Sequence, residues 1–211
     1  MEKNVSQAYY SHTRKEVAPL MPQKASRVLE IGCGTGATIS YLKQQNLCSW
    51  AAGIEISPLA AEIAKQTVDV VWQDNIETFA LPLEPQSIDV ILCMDVLEHL
   101  VDPWGALRKL TPLLAEGGVI IASIPNIQHY TVVRGLIKGC FEYEEVGILD
   151  KTHLRFFTRR SAIALMTSSG LVLDGVHTKK RHWWKIGRYF PDFVAIQFLI
   201  RVKKSQDQES Y

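Results

Sequence analysis

Cysteine is scarce and poorly placed for metal or disulfide chemistry. The four in the chain, Cys33, Cys48, Cys93 and Cys140, are widely separated and include no C-x-x-C pair. Neither a disulfide framework nor a zinc site is suggested, and reduced thiols in a cytoplasmic protein are expected. An excess of one charge is also lacking. Lys and Arg total 23 against 22 Asp and Glu, a net charge of +1, which provides no field to gather nucleic acid. No stretch approaches the roughly 18 apolar residues of a membrane span. The opening Met1-Glu2-Lys3-Asn4-Val5-Ser6-Gln7 is polar, without the apolar segment of a secretory leader. Internal repeats and low-complexity tracts are absent, which removes repeat architectures and leaves an ordinary globular chain.

What is present is enough apolar material for one core. The 211 residues are 47% hydrophobic, so a single domain over 1–211 is expected. Short apolar runs alternate with amphipathic stretches, the pattern of an α/β fold with a parallel sheet covered by helices on both faces. Strands are expected near 27–32, 51–56, 68–72, 88–94 and 118–124, with two more near 171–177 and 193–202. Asp102-Pro103 reads as a helix start, with Trp104, Leu107, Leu110 and Leu114 at helical spacing and Gly117 as the stop. Thr158 caps a later helix that Ser169-Gly170 ends.

The chemistry gathers at Val28-Leu29-Glu30-Ile31-Gly32-Cys33-Gly34-Thr35-Gly36-Ala37, a buried-strand pattern running into a glycine turn and then a helix. Gly32, Gly34 and Gly36 permit a sharp turn and a close ligand approach, and the helix start offers unpaired amides. The glycines alone also satisfy the dinucleotide fingerprint, so an NAD-type oxidoreductase remains an alternative. Glu30 argues the other way. A carboxylate at the turn repels a pyrophosphate and suits a ligand end that carries an ammonium or sulfonium charge.

With that acid in place the segment resembles motif I of the class I S-adenosylmethionine-dependent methyltransferases. Four further segments agree in order and spacing: Gly53-Ile54-Glu55-Ile56-Ser57, Trp72-Gln73-Asp74-Asn75-Ile76, the run from Ser87 through Met94-Asp95-Val96-Leu97-Glu98-His99-Leu100, and Gly117-Gly118 through Ser123-Ile124-Pro125-Asn126. Together they are similar to the small-molecule, type 11/23 branch that includes ubiquinone-type O-methyltransferases. The resemblance implies a Rossmann-like doubly wound sheet of about seven strands, the last antiparallel, with S-adenosylmethionine as cofactor and S-adenosylhomocysteine as product. It implies that Glu55 accepts the ribose hydroxyls, that Ile56 flanks the adenine, and that Asp74, with Asn75 and Ile76, meets the adenine edge. Met94 and Asp95 would complete the cofactor site with Cys33 of the glycine turn. In the arm 1–25, Tyr9-Tyr10 and Arg14 resemble a Tyr/Arg pattern of this branch, in which the arginine clamps the cofactor carboxylate. A non-catalytic cofactor-binding or scaffold domain shares all of this and also stays open.

Acceptor residues are drawn from the long stretch 127–157, expected to be a lid, and from the exits of strands. The Asn/Asp-Pro-Pro-aromatic loop of base and glutamine N-methyltransferases is replaced by Asp95-Val96-Leu97-Glu98, which favours oxygen of a small molecule over base nitrogen. A hydroxyl acceptor wants a base, for which His153 is the first candidate and His99 the second. Asn126, Tyr130 and Arg155 are substrate-side candidates. Finally, five positive charges interleave with four aromatics between Lys179 and Phe190. That segment is either a connection packed on the sheet edge or a contact for a membrane surface or a glycan- or lipid-linked acceptor.

Overall fold

The computed structural model describes residues 12–23, 25–180 and 190–204, organised by one seven-stranded sheet. The strands are β1 (Arg27–Ile31), β2 (Trp50–Glu55), β3 (Val70–Gln73), β4 (Ile88–Met94), β5 (Leu114–Pro125), β6 (Leu171–Lys180) and β7 (Ala195–Lys204). Their order is β3-β2-β1-β4-β5-β7-β6. β1 to β5 are mutually parallel, whereas β7 is antiparallel to both of its neighbours. Register places Ile31 opposite Ile54 of β2 and Cys93 of β4. The carboxyl ends of the three central strands therefore reach one level, where ligands bind in open α/β sheets.

The pleat divides the core in two. Leu29, Ile31, Ile54, Ile91, Cys93 and Ile120 face Leu107 and Leu110 of helix Pro103–Leu110 and Ala162 and Leu165 of helix Arg159–Met166. Val28, Ala51, Val90, Leu92 and Ile121 face Ile39 and Leu42 of helix Ala37–Gln44, Ala64 of helix Pro58–Ala64, and Val17 and Leu20 of the 3-10 turn Lys15–Leu20. Side chains fix the helix starts. Asp102 accepts from the Gly105 amide at 2.9 Å with Pro103 behind it, and Thr158 forms a reciprocal capping box with Ser161.

Three expectations of the sequence are corrected. The helix after Asp102 ends at Leu110, not Gly117, because Pro112 lacks the amide to continue it and a 3-10 turn Thr111–Leu113 follows. Leu114 consequently opens β5 opposite Ile88, and Gly117 (φ +69°) sits in a register shift before Val119 meets Val90. β3 starts at Val70, since the Val68 amide still bonds to Ala64 O at 2.9 Å in the helix exit. β7 starts at Ala195 because Pro191–Val194 forms a short helical turn. Among the described residues no helix is long and apolar enough to cross a membrane. Tyr9, Tyr10 and residues 181–189 of the basic aromatic segment lie outside the described residues.

Candidate active site

Where β1, β2 and β4 end, a cleft of about 860 Å³ opens, within the range of roughly 300–1,000 Å³ typical of ligand sites. One wall is the glycine turn. Gly32, Gly34 and Gly36 all have positive φ (66°, 53° and 76°), a conformation that only glycine adopts without strain. Gly32 also lacks room, since a Cβ there would stand 2.6 Å from Val96 Cγ2. The turn is pinned to β2, because the Gly32 amide bonds to Ile54 O at 2.8 Å and the Gly34 amide to Glu55 Oε2 at 2.8 Å. The other oxygen of Glu55 accepts from the Ser57 amide at 2.8 Å. Glu55 is thereby fixed at the cleft wall, with one further lone pair on each oxygen for a ligand hydroxyl.

Glu30 lies deeper. It is 2% exposed, and burial pushes its carboxyl up to about 8, against the opposing pull of the Thr38 hydrogen bond and Arg14. Its Oε2 has no partner, an arrangement that suits a ligand cation. Nearby, Asp95 adopts φ +56° and gathers Arg14, Ser123 and Gln197 around its carboxylate. Gln197 also donates to Ser123 Oγ at 2.9 Å. Arg14 is thus held over the cleft by Asp95, and its own amide bonds to Thr38 Oγ1 at 3.3 Å. Cys33 lines the turn as a packing group, since burial beside Glu30 raises its thiol and keeps it protonated.

The opposite wall comes from the connection between β5 and helix Arg159–Met166. Val146, Gly147, Ile148, Asp150, Thr152 and His153 face the cavity. His99, from the 3-10 turn Leu97–His99 after β4, faces the same space. The two imidazoles stand edge to face with ring centroids 4.7 Å apart. The two candidate bases therefore form one group, and geometry gives neither precedence. Burial, and then the neighbouring His153, lower the pKa of His99 and favour its neutral form.

Of the residues singled out in the sequence, Arg14, Glu30, Gly32, Cys33, Gly34, Glu55, Ile56, Asp74, Asn75, Ile76, Met94, Asp95, His99 and His153 line this cleft. Four do not. Gly36 closes the turn against the exit of helix Pro58–Ala64, where a Cβ would meet Val68 Cγ2 at 2.8 Å. Asn126 is fully buried, donating to Asp192 O and Ala195 O at 2.6 and 2.7 Å, and so ties β5 to the start of β7. Tyr130 packs on His129 with ring centroids 4.5 Å apart. Arg155 donates to Val101 O and lies over the Trp104 ring, anchoring the connection from outside. Sequence reasoning missed Glu98, Ser123 and Gln197. Only Glu98 carried a sequence signal, its place beside His99 at a strand exit.

Comparison with known proteins agrees with this geometry. Residues 1–175 match the methyltransferase domain family. A ubiquinone biosynthesis O-methyltransferase of Albidiferax ferrireducens is 24% identical over 203 residues, covering 88% of this chain and 75% of the relative. The enzyme of the same description from Xanthomonas euvesicatoria is 26% identical over 188 residues, covering 82% and 74%. Among solved structures, a SAM-dependent methyltransferase of Archaeoglobus fulgidus shares the fold at TM-score 0.68 and 15% identity, over 94% of this chain and 95% of that one. The oxidoreductase alternative suggested by the glycines finds no support in these likenesses. The chain belongs to the methyltransferase domain family, which implies S-adenosylmethionine as the methyl donor.

Proposed function

We propose that this enzyme methylates a hydroxyl of a small-molecule acceptor. The observation that carries this reading is the imidazole pair on the acceptor wall. Each ring has its Nδ1 within reach of a backbone carbonyl, His99 with Thr152 O at 3.2 Å and His153 with Ile148 O at 3.0 Å. With Nδ1 donating, each Nε2 is left with a free lone pair at the place where a hydroxyl must lose its proton. The relatives named O-methyltransferases support the choice of oxygen.

S-adenosylmethionine supplies a methyl carbon already activated by its sulfonium. The chain's part is to grip, orient and exclude water. Glu30 would receive the cofactor ammonium on its unpaired oxygen, and Arg14 the carboxylate. Glu55 would accept the ribose hydroxyls, with Ile56 against the adenine and Asp74 at its edge. The connection 127–157 would close over the acceptor as the lid of a single domain. Four cysteines without a disulfide support a cytoplasmic location.

Calorimetry with S-adenosylhomocysteine and with NADH tests the donor side, and only the former should bind. Release of S-adenosylhomocysteine with a panel of small phenols and alcohols, compared with matched amines, tests the acceptor. Turnover confined to the amines would overturn the oxygen assignment.

A further inference from the structure

Gln197 is a buried polar residue near the start of β7, 8% exposed, where it stands opposite Pro125 of β5 and lines the cleft. It lies beyond the residues 1–175 that match the methyltransferase domain family, so kinship assigns it no role. Its side-chain nitrogen uses both hydrogens, one on Asp95 Oδ1 and one on Ser123 Oγ at 2.9 Å. A carboxylate only accepts, so the amide must face Asp95 through its nitrogen. The Ser123 hydroxyl donates to the same Asp95 oxygen, and because its own oxygen accepts from Gln197, its hydrogen is directed there. The sheet does not require this side chain, since β7 already pairs with β5 at seven positions from Val119 to Pro125.

The two oxygens of Asp95 are divided between neutral and charged partners. Oδ1 takes the uncharged donors of Ser123 and Gln197, whereas Oδ2 takes the Arg14 guanidinium. A carboxylate tied at one oxygen is held against turning about its Cβ–Cγ bond, so the other oxygen keeps one direction. Arg14 needs that direction, because its long side chain comes from outside the sheet, ahead of the 3-10 turn Lys15–Leu20. An isolated ion pair at the edge of a cleft would hold such a chain in many geometries for little gain. The neighbouring Glu16 carboxylate stands 3.8 Å away, too far for a hydrogen bond to take over the task.

We propose that Gln197 is a positioning residue for the amino-acid end of the cofactor, acting through Asp95 to aim Arg14. The inference rests on the reading above in which Arg14 receives the cofactor carboxylate. With Oδ1 anchored, Asp95 engages one guanidinium nitrogen and leaves the remaining N–H donors of the arginine to meet the ligand. Without Gln197 the Ser123 hydroxyl and the Asp95 carboxylate are both free to turn, and Arg14 loses its direction before the ligand arrives. The adenosine end of the cleft is carried by Glu55 at the end of β2 and Asp74 after β3, and it should not feel the change.

The test is calorimetry on the full chain with two probes, S-adenosylhomocysteine and methylthioadenosine, which shares the adenosine and the thioether but lacks the amino-acid end. Gln197→Leu should weaken S-adenosylhomocysteine binding by about tenfold, the scale of a hydrogen bond to a charged group, and leave methylthioadenosine within about twofold. Ser123→Ala, which removes the other donor to Oδ1, should show the same selective loss, and it decides the question if Gln197→Leu does not fold. Arg14→Met should lose at least as much S-adenosylhomocysteine affinity, and adding Gln197→Leu to it should weaken binding little further. Equal losses for the two probes would mean that Gln197 only supports the sheet, and unchanged S-adenosylhomocysteine affinity would mean that Arg14 needs no aiming. Either result overturns the proposal and leaves the Arg14 reading intact. Unchanged affinity in Arg14→Met instead removes the carboxylate grip itself, and the proposal with it.

Discussion

The Gly34 amide donates to the Glu55 carboxylate at 2.8 Å, so the glycine turn after β1 and the acid that ends β2 are a single unit. Removing the acid would loosen both the ligand contact and the turn. Glu55→Ala is expected to weaken S-adenosylhomocysteine binding by about 1.5–3 kcal/mol, the scale of hydrogen bonds to a charged group. Calorimetry on the folded variant checks this, and unchanged affinity would withdraw the ribose role.

Glu30 predicts a pH signature. Unfolded, it titrates near 4.5, whereas in the fold burial moves it to about 8. Between those values the folded state holds the extra proton, so stability falls as pH rises through that window and the loss is complete above it. Glu30→Gln lacks this slope. Its Tm should overtake that of the parent as pH rises from 4.5 to 8, while its cofactor affinity drops. Parallel Tm curves for the two proteins would contradict the raised carboxyl.

Two glycines with nearly the same φ should respond differently to alanine. At Gly117 (φ +69°) nothing lies within 4 Å of an added Cβ, so the cost is backbone strain of about 1–2 kcal/mol. At Gly32 (φ +66°) the Cβ also meets Val96 Cγ2 at 2.6 Å, adding overpacking of about 1–3 kcal/mol. Urea unfolding of the two variants should rank Gly32→Ala well below Gly117→Ala, and only the former should lose S-adenosylhomocysteine. Equal midpoints would mean that Val96 yields without cost.

The connection 127–157 should exchange its amide hydrogens faster than the buried run Val119–Ala122 of β5. Residues 138–147 are exposed throughout, and lids come from the low-stability end of a structure. Exchange as slow as that of β5 without any ligand would mean a preformed wall instead of a closing one.

The sheet and the donor half of the cleft were legible because their signals are local. The buried-strand run Val28 to Ile31 marks a strand, and the positive φ needed at Gly32 and Gly34 leaves glycines in the sequence. Asn126 and Arg155 fall outside the cleft lining because their partners, Asp192 and Ala195 for one, Val101 and Trp104 for the other, come from other elements of the fold. Glu98 is the sharpest case. Its place beside His99 at a strand exit was a signal of position but not of burial, which follows from the 3-10 turn Leu97–His99. The two histidines were visible as candidates, but their meeting was not.

That meeting is arranged by main chain. The Glu98 carbonyl accepts from the amides of Leu154 and Arg155 at 2.8 and 3.0 Å, which stitches the end of the β5 connection to the turn after β4 whatever side chains surround it. Bonds of this kind survive most substitutions, because every residue but proline carries the same amide. The stretch before the stitch is therefore free to drift in sequence and length while the closing edge stays in register with the donor half. Over evolutionary time, a fold wired in this way can rewrite that single loop without disturbing the sheet it is stitched to.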